Sequence, residues 1–327
     1  MNYLKLIGEI KEINLERGQK EIRGKTTNYI IKVKITNTFH SSLPLPKGIA
    51  RRIFTVKKRW VYPYIPEIGS KIGIDGEEIG MDVGKIDLSN KILSITILPE
   101  LGGRIVSLQY LNHTPIQSPL LYGTKAELST AGISENLGEK INLSLWKFDI
   151  LRKSKRSVTL ECKKKGWIIK KSLFLDKNII YRKFEITKKG IKKELDINFN
   201  EILSLIPDIK NLSIHIPTTE KLFVFTPSPV ILPWFSTYRY YSIRNGMVAK
   251  VNDTVLLWQA NMKDIDNITV RERHWLINIA SIWSKLSIKK GDSKLFKSRI
   301  ILGEDFKIDE NGIGVMSKGE WLWVRNE

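Results

Sequence analysis

Residues 95–107 read I-T-I-L-P-E-L-G-G-R-I-V-S, and this stretch decides the fold that the sequence predicts. Its β-branched residues favour a strand that ends at Pro99. Gly102 and Gly103 then allow a tight turn, because glycine adopts backbone conformations that other residues avoid. Arg104 follows the glycines and begins a second apolar run. The stretch therefore predicts a strand, a turn and a second strand.

Similar runs continue from Lys85 to the C-terminus, and no long helical periodicity interrupts them. Residues 118–139 hold three glycines and are predicted to form a loop with at most short helical turns. About a dozen strands in one domain predict a large two-sheet sandwich whose edges are covered by loops. The predicted strands are 91–98, 104–110, 145–151, 157–163, 167–175, 179–187, 195–205, 222–225, 255–258, 275–283, 286–288 and 294–302.

Residues 1–76 differ from the rest and predict a separate small β domain. Short runs at 4–13, 29–36, 52–57 and 71–75, separated by Gly and Pro, predict a small antiparallel barrel or sandwich, with an OB-like barrel as one candidate. The glycine-punctuated, acidic stretch 77–84 marks the boundary. The predicted domains are thus residues 1–76, a small basic β domain, and residues 85–327, the sandwich.

The formal charge of +20 admits two interpretations. It could serve nucleic acid, an anionic surface or an acidic polysaccharide. Because the lysines are spread along the whole chain, lysines on solvated strand faces are the favoured interpretation. Residues 1–76 hold 15 Lys and Arg against 6 Asp and Glu, an excess of +9. Trp60, Tyr62 and Tyr64 follow Lys57, Lys58 and Arg59, as in a single-strand nucleic-acid platform or an interdomain packing patch.

Several signals bear on location and redox state. No apolar run approaches the roughly 20 residues that span a bilayer. Lys5 comes too early for a signal peptide, and no small-residue cleavage site follows it. Cys162 is the only cysteine, so no intrachain disulfide can form, and its alternating context predicts an inert strand thiol. We therefore expect a cytoplasmic protein without a membrane partner.

Four segments between residue 85 and the C-terminus resemble the galactose mutarotase-like (aldose epimerase-like) β-supersandwich superfamily. The resemblance implies a supersandwich fold with a sugar-binding concave face. In enzymatic members it implies a histidine and a glutamate that act as acid and base at the anomeric centre of a sugar. The segments are 97–108, 166–176 with 180–187, 199–205 and 286–302.

Three residues are candidates for sugar chemistry. Glu201 lies in a mainly apolar strand, where a buried carboxylate is costly unless it binds something; it is either the candidate base or a surface strand glutamate. His215 alternates with Ile214 and Ile216, and on the opposite face it is either the candidate acid or an ordinary strand histidine. Arg104 could orient a ligand by presenting its fork of donors to sugar hydroxyls or a carboxylate. Alternatively, Arg104 is a structural arginine that ties the turn to its neighbours.

The stretch 229–241, P-V-I-L-P-W-F-S-T-Y-R-Y-Y, is the densest aromatic cluster and is predicted to be looped. Trp234 and Tyr238 are candidate substrate-binding residues, because exposed aromatic faces stack on sugar rings. Aromatic side chains also staple long loops to a sandwich, so both roles stay open.

Other chemistries lack a signature. There is no phosphate-binding GxxxxGK[ST] loop, no zinc-ligand spacing of Cys and His, and no G-x-S-x-G elbow. We expect no cofactor and no metal, although a site made of carboxylates alone stays open. The two histidines of the mutarotase pattern are not both found, which leaves enzymatic activity uncertain.

The preferred function is carbohydrate binding, with epimerase-like or glycan-processing activity as an extension. The alternative is a non-catalytic scaffold whose N-terminal domain contacts nucleic acid or another anionic partner. The sequence gives neither the sugar nor the oligomeric state.

Overall fold

The computed structural model divides the chain into two compact units. The first comprises Met1–Lys85 with Ser118–Thr130, and the second comprises Ile86–Gln117 with Ala131–Glu327. No helix in the described part of the chain is long and apolar enough to cross a membrane. The described residues are 5–23, 25–38, 53–75, 85–99, 102–111, 113–116, 132–137, 143, 146–190, 194–205, 212–227, 236–273, 276–310 and 312–325.

The first unit contains one antiparallel sheet in the strand order β3-β2-β1-β4. Alternating apolar residues of these strands form its core, with Leu6, Ile10 and Ile31 fully buried. The described residues supply four strands, and a closed OB barrel needs five. The strands are β1 (Lys5–Leu15), β2 (Thr26–Thr38), β3 (Ile53–Val61) and β4 (Lys71–Asp75).

The basic and aromatic residues of β3 do not form one exposed stripe. Strand alternation exposes Lys57 and Arg59 but buries Lys58 and Trp60. The Trp60 ring packs on Tyr29 at a centroid distance of 5.7 Å, and Lys58 Nζ donates to a β4 carbonyl at 3.2 Å. This packing removes Trp60 from the predicted aromatic platform, whereas Tyr64 is 68% exposed.

The second unit is a sandwich of two large antiparallel sheets, here called the front sheet and the back sheet. The front sheet has the order β18-β21-β22-β15-β9-β7-β6-β5, and β8 pairs with β7. Its strands are β5 (Ile86–Ser89), β6 (Leu93–Leu98), β7 (Arg104–Tyr110), β8 (His113–Ile116), β9 (Gly132–Leu137), β15 (Phe199–Leu205), β18 (Ser236–Tyr241), β21 (Ile265–Arg273) and β22 (Leu276–Trp283).

The back sheet has the order β10-β11-β12-β13-β24-β20-β19-β16-β17. Its strands are β10 (Asp149–Lys153), β11 (Ser157–Lys164), β12 (Trp167–Asp176), β13 (Ile179–Lys188), β16 (Leu212–Pro217), β17 (Leu222–Phe225), β19 (Met247–Val251), β20 (Thr254–Ala260) and β24 (Ser293–Gly303). Two small sheets complete the unit, one of β14 (Glu194–Ile197) with β23 (Leu286–Lys289), the other of β25 (Asp305–Asp309), β26 (Gly312–Ser317) and β27 (Glu320–Arg325).

The main core lies between the front and back sheets, because most of the inward-facing residues on alternate positions of their strands are apolar. A second apolar cluster lies on the outer side of the back sheet. There Ile313, Val315 and Val324 of the three-stranded sheet pack with Val255 and Leu257 of β20. The outer faces of the two large sheets therefore differ, since the three-stranded sheet covers part of the back one.

The predicted fold class is confirmed: the protein is all-β, with a large two-sheet sandwich and a small N-terminal β unit. Three local predictions were wrong. The predicted loop 118–139 contains β9, and the predicted looped stretch 229–241 ends in β18. The predicted strand 195–205 is two strands, β14 and β15. These strands are short and pair with residues distant in sequence, so local pattern alone does not reveal them.

Gly132 places β9 against β7, and its substitution tests this packing. Its φ is +85°, and a Cβ there would lie 2.2 Å from the Ile105 carbonyl oxygen. Gly291 is a matched control, because its φ is +91° and nothing lies within 4 Å of its Cβ position. Both alanine variants incur the left-handed cost of roughly 1–2 kcal/mol, and Gly132→Ala adds a backbone clash. We expect denaturant unfolding to show a clearly larger stability loss for Gly132→Ala, and equal losses would contradict the packing.

Candidate functional site

The three residues predicted to carry sugar chemistry lie on three different surfaces. Arg104 precedes the inward-facing Ile105, so alternation directs it to the outer face of the front sheet, where it is fully buried and has an interaction partner. Glu201 faces the interior between the sheets. His215 lies on the outer face of the back sheet. The structure does not assemble them in one pocket.

Glu201 is buried and bound by other side chains of the protein. Trp258 Nε1 donates to its Oε2 at 2.7 Å, and Ser298 Oγ donates to its Oε1 at 2.8 Å. Arg182 Nη1 lies 3.3 Å from the same Oε1. The carboxylate that would serve as base is therefore engaged in structural bonds.

Glu201 belongs to a buried cluster of four charges, which also contains Glu135, Lys171 and Arg182. Glu135 on β9 is the register partner of Glu201 on β15, so two carboxylates lie side by side on the front sheet. From the back sheet, Lys171 Nζ lies 2.7 Å from Glu135 Oε2, and Arg182 bridges both carboxylates. Two acids and two bases balance one another, which buried charges require.

Burial and charge act in opposite directions within this cluster. Burial lowers the pKa of Lys171 despite the attraction of Glu135. Burial also disfavours the charged Arg182, but the attraction of Glu201 and Glu135 is larger, and the pKa of Arg182 is raised. The guanidinium is therefore the fixed positive charge at the centre of the cluster.

The sequence contains a signal for this cluster, but it did not lead to a prediction of Glu135, Lys171 or Arg182. On β12 and β13, Lys171 and Arg182 occupy inward positions in phase with buried apolar residues. A charge in phase with the apolar face of a strand indicates a buried pair. Glu135 lay in the predicted loop 118–139, so its phase was not assessed.

His215 lies in an aromatic contact instead of an open cleft. Its alternation with Ile214 and Ile216 is confirmed, because both isoleucines are buried in the main core. Its Nε2 is 2.9 Å from Ser213 Oγ, and its ring centroid is 4.7 Å from that of Phe306 on β25. Burial, together with the charge of a nearby lysine, lowers the pKa of His215.

The predicted stacking residues divide between the described and undescribed parts of the chain. Trp234 lies outside the described residues. Tyr238 on β18 is 42% exposed, and its ring contacts Phe225 of β17 at a centroid distance of 5.3 Å. Tyr238 thus joins the edge strands of the two sheets. The buried thiol of Cys162 has its pKa raised by burial to about 11, which fits the predicted inert thiol.

The outer face of the front sheet carries a continuous set of polar side chains, here called the polar face. Strand register places Asn136 beside Asn200 and Ser204 beside Asn278. Antiparallel pairing of Ile105 with Ile133 brings Arg104 beside Ser134. The polar face comprises Arg104, Ser134, Asn136, Asn200, Ser204, Asn267, Thr269 and Asn278.

Two amide oxygens of the polar face are buried without a hydrogen-bond partner. Ser204 donates to Asn278, and Thr269 donates to Asn267, each at 2.8 Å. By contrast, Asn136 Oδ1 and Asn200 Oδ1 have no partner in the described part of the chain. A buried unsatisfied acceptor costs about 1–3 kcal/mol, so an adjacent pair of them indicates a place for an external donor.

The described residues contain no group of three or more His, Cys, Asp or Glu that could hold a metal ion. The polar face offers hydrogen bonding by amides and hydroxyls, with the guanidinium of Arg104 among them. Ile202, Ala280 and Ile282 are half-buried on the same face and supply apolar contact. Such a mixture suits a ligand with both hydroxyl groups and C–H surfaces.

Comparison with known proteins identifies the fold. No family model matches the sequence, and no curated protein matches it. A candidate aldose 1-epimerase from Escherichia coli K12 superposes with a TM-score of 0.54 at 8% identity, over 68% of this chain and 99% of that one. A protein from Synechocystis sp. PCC 6803 gives 0.53 at 7% identity, over 68% and 96%.

A galactose mutarotase related enzyme from Lactobacillus acidophilus gives a TM-score of 0.50 at 10% identity, over 67% of this chain and 97% of that one. The chain therefore has the galactose mutarotase-like fold, as the sequence resemblance predicted. At these identities the likeness concerns the fold and leaves the activity to be argued from the site.

Removal of one partner from the buried cluster should destabilise the protein more than removal of a pair. Lys171→Met leaves Glu135 and Glu201 with Arg182 alone, and we expect a loss of about 3–5 kcal/mol. The double variant Glu135→Leu with Lys171→Met retains the balanced Arg182–Glu201 pair and should lose less. Lys163→Met, at an exposed pair with Glu161, should change stability by less than about 1 kcal/mol. Urea unfolding measures the stability of all three variants. A double variant that is less stable than Lys171→Met would contradict the pairing of Glu135 with Lys171.

His215 should make folding stability depend on pH. Its folded-state pKa lies below its unfolded value, so the unfolded chain binds a proton that the folded chain excludes. The contribution of His215 to stability is then fully present above its unfolded-state pKa of about 6.5. It is lost as the pH decreases toward the folded-state pKa. Unfolding curves between about pH 8 and pH 5 should show a smaller decline for His215→Gln. The control His113→Gln, at an exposed position, should behave as the unaltered protein. Identical curves for both variants would contradict this assignment.

Proposed function

We propose that the protein binds a neutral carbohydrate at the polar face of the front sheet. The adjacent unsatisfied oxygens of Asn136 and Asn200 carry this proposal. A sugar ring carries hydroxyl groups on neighbouring carbons, and each hydroxyl can donate a hydrogen bond. Two neighbouring hydroxyls of one sugar would therefore satisfy both amide oxygens. The protein would then recover the cost of burying these acceptors only in the complex.

The surroundings of the asparagine pair support a sugar ring as ligand. Half-buried Ile202 and Ile282 flank Asn200 on the same face and offer apolar surface to ring C–H groups. Arg104 lies beside Ser134 and supplies a fixed positive charge next to the site. We propose that Arg104 orients ligand hydroxyls through this field, since its side chain is fully buried.

We infer binding without epimerisation. An acid and a base must reach the same sugar, within hydrogen-bond distance of the protons they transfer. Glu201 faces the interior and His215 the outer side of the back sheet, and neither belongs to the polar face. Two fold neighbours are described as a candidate aldose 1-epimerase and a galactose mutarotase related enzyme, which makes aldohexoses the first ligands to test. The nucleic-acid alternative gains no support, because Lys58 and Trp60 are buried.

Replacement of the two asparagines should separate binding from stability. The variant Asn136→Leu with Asn200→Leu removes both unsatisfied acceptors, so we expect loss of sugar binding together with higher stability, by up to about 1–3 kcal/mol per site. Saturation-transfer NMR with galactose, glucose and their disaccharides measures binding, and thermal unfolding measures stability. Asn14→Leu, at an exposed position of β1, is the control and should retain binding. Unchanged binding in the double variant would exclude this face.

The proposed absence of catalysis can be tested directly. Polarimetry of freshly dissolved α-galactose or α-glucose should show mutarotation at the uncatalysed rate in the presence of the protein. If the rate rises, and Glu201→Gln or His215→Gln abolishes the rise without unfolding the protein, the catalytic hypothesis is correct and the binding-only proposal is wrong.

A further inference from the structure

A second cleft lies on the other side of the sandwich, on the outer face of the back sheet. Its volume is about 830 Å³, within the usual range for small-molecule sites. Four cations and two aromatic residues line it and define what is here called the basic cleft: Lys263, Lys297, Arg299, Arg325, Tyr181 and Trp323. Among the described residues, those that line it include no Asp and no Glu.

The charges of the four cations are not paired within the described part of the chain. None of them forms an ion pair with the residues that the structure describes. Asp264, which follows Lys263 in the sequence, accepts from Asn261 Nδ2 at 2.9 Å. Like charges held together in a cleft raise its positive potential, which favours an anionic ligand.

The guanidinium of Arg299 has a fixed orientation that suits an anionic ligand. Its Nε donates to Gln259 Oε1 at 2.5 Å, which fixes the plane of the guanidinium. Strand register places Arg299 beside Tyr181 on one side and Gln259 on the other. A fixed guanidinium binds carboxylate or sulfate with two parallel hydrogen bonds.

Exposed aromatic rings line the cleft and continue on the surface beside it. Tyr181 is 37% exposed and stacks on Phe174, which is 46% exposed, at a centroid distance of 6.1 Å. Trp323, 40% exposed, also lines the cleft, and its ring stacks beside that of Trp321. Exposed flat rings bind the C–H faces of sugars, and a row that continues beyond the cleft indicates a ligand longer than one sugar unit.

Asn245 supplies an independent observation. It lines the cleft, is 4% exposed, and its Oδ1 has no hydrogen-bond partner among the described residues. A simple anion cannot satisfy this acceptor, because it has no proton to donate. A hydroxyl group beside the anionic group could do so.

We propose that the basic cleft binds an anionic oligosaccharide, with sugar units that carry carboxylate or sulfate groups. Arg299, Lys297, Lys263 and Arg325 bind the acidic groups. Tyr181 and Trp323 contact the rings, and a hydroxyl donates to Asn245. This site is separate from the polar face of the front sheet, and it does not depend on the function proposed there.

The test is a titration of the protein with saccharide and control probes. Tryptophan fluorescence and calorimetry measure the binding. The probes are trigalacturonate, its methyl ester as the matched neutral compound, a heparin-derived tetrasaccharide, inorganic sulfate and a short oligothymidylate. We expect saturable binding of at least one anionic oligosaccharide and no binding of the methyl ester. Lys297→Gln with Arg299→Gln should weaken binding by at least about tenfold, as expected for the loss of a charged fork.

The control removes the same charges from another exposed strand. Arg152→Gln with Lys153→Gln, on β10, should change affinity by less than about twofold if binding is local rather than governed by net charge. Equal weakening by both double variants would overturn the proposal, as would binding of oligothymidylate alone, equal affinity for inorganic sulfate, or no saturable binding of either anionic saccharide. Asn136→Leu with Asn200→Leu should leave this binding unchanged, which distinguishes the two sites.

Discussion

The alignment of the two large sheets depends on the buried bridge from Arg182 of the back sheet to Glu135 and Glu201 of the front sheet. Apolar contacts between sheets are non-directional and tolerate small displacements. Charge-assisted hydrogen bonds are directional, and a displacement by one residue would leave two carboxylates buried without a cation. We interpret the cluster as a device that fixes the register between layers. Its net contribution to stability is smaller than its contact distances suggest, because all four groups lose their hydration.

The same cluster decides where ligand chemistry can occur. A glutamate that accepts from Trp258 and Ser298 and faces Arg182 has its acceptor sites occupied inside the sandwich. Because these charged groups of the interior are engaged with one another, we place both proposed ligand sites on outer faces of the sandwich. The Oδ1 atoms of Asn136, Asn200 and Asn245, which have no hydrogen-bond partner among the described residues, belong to those proposed sites.

The sequence predicted the sandwich well, because alternation and β-branched composition act locally on each strand. It also gave the correct phase of His215, since a strand has only two faces, whereas it left the face of Glu201 open. It could not assign those faces to a particular sheet or surface, which depends on pairings between distant segments. The adjacency of Asn136 and Asn200 requires β9 to pair with β15 across more than sixty residues, and no local pattern encodes that pairing. Glu135 was missed for the same reason.

The distribution of paired and unpaired cations refines the meaning of the +20 charge. In the first unit, Lys11, Lys32 and Lys57 each face a glutamate, and residues 1–76 still hold an excess of +9. In the basic cleft, four cations converge without a carboxylate among the lining residues, and an unsatisfied amide lies beside them. Net charge alone attracts any polyanion weakly and without geometry. Selective recognition requires a fixed fork, a flat apolar surface and an acceptor at defined positions, and Arg299, Tyr181 and Asn245 provide these in one place. We therefore infer that the local arrangement of the cations in the basic cleft, and not the net charge, determines which anion binds.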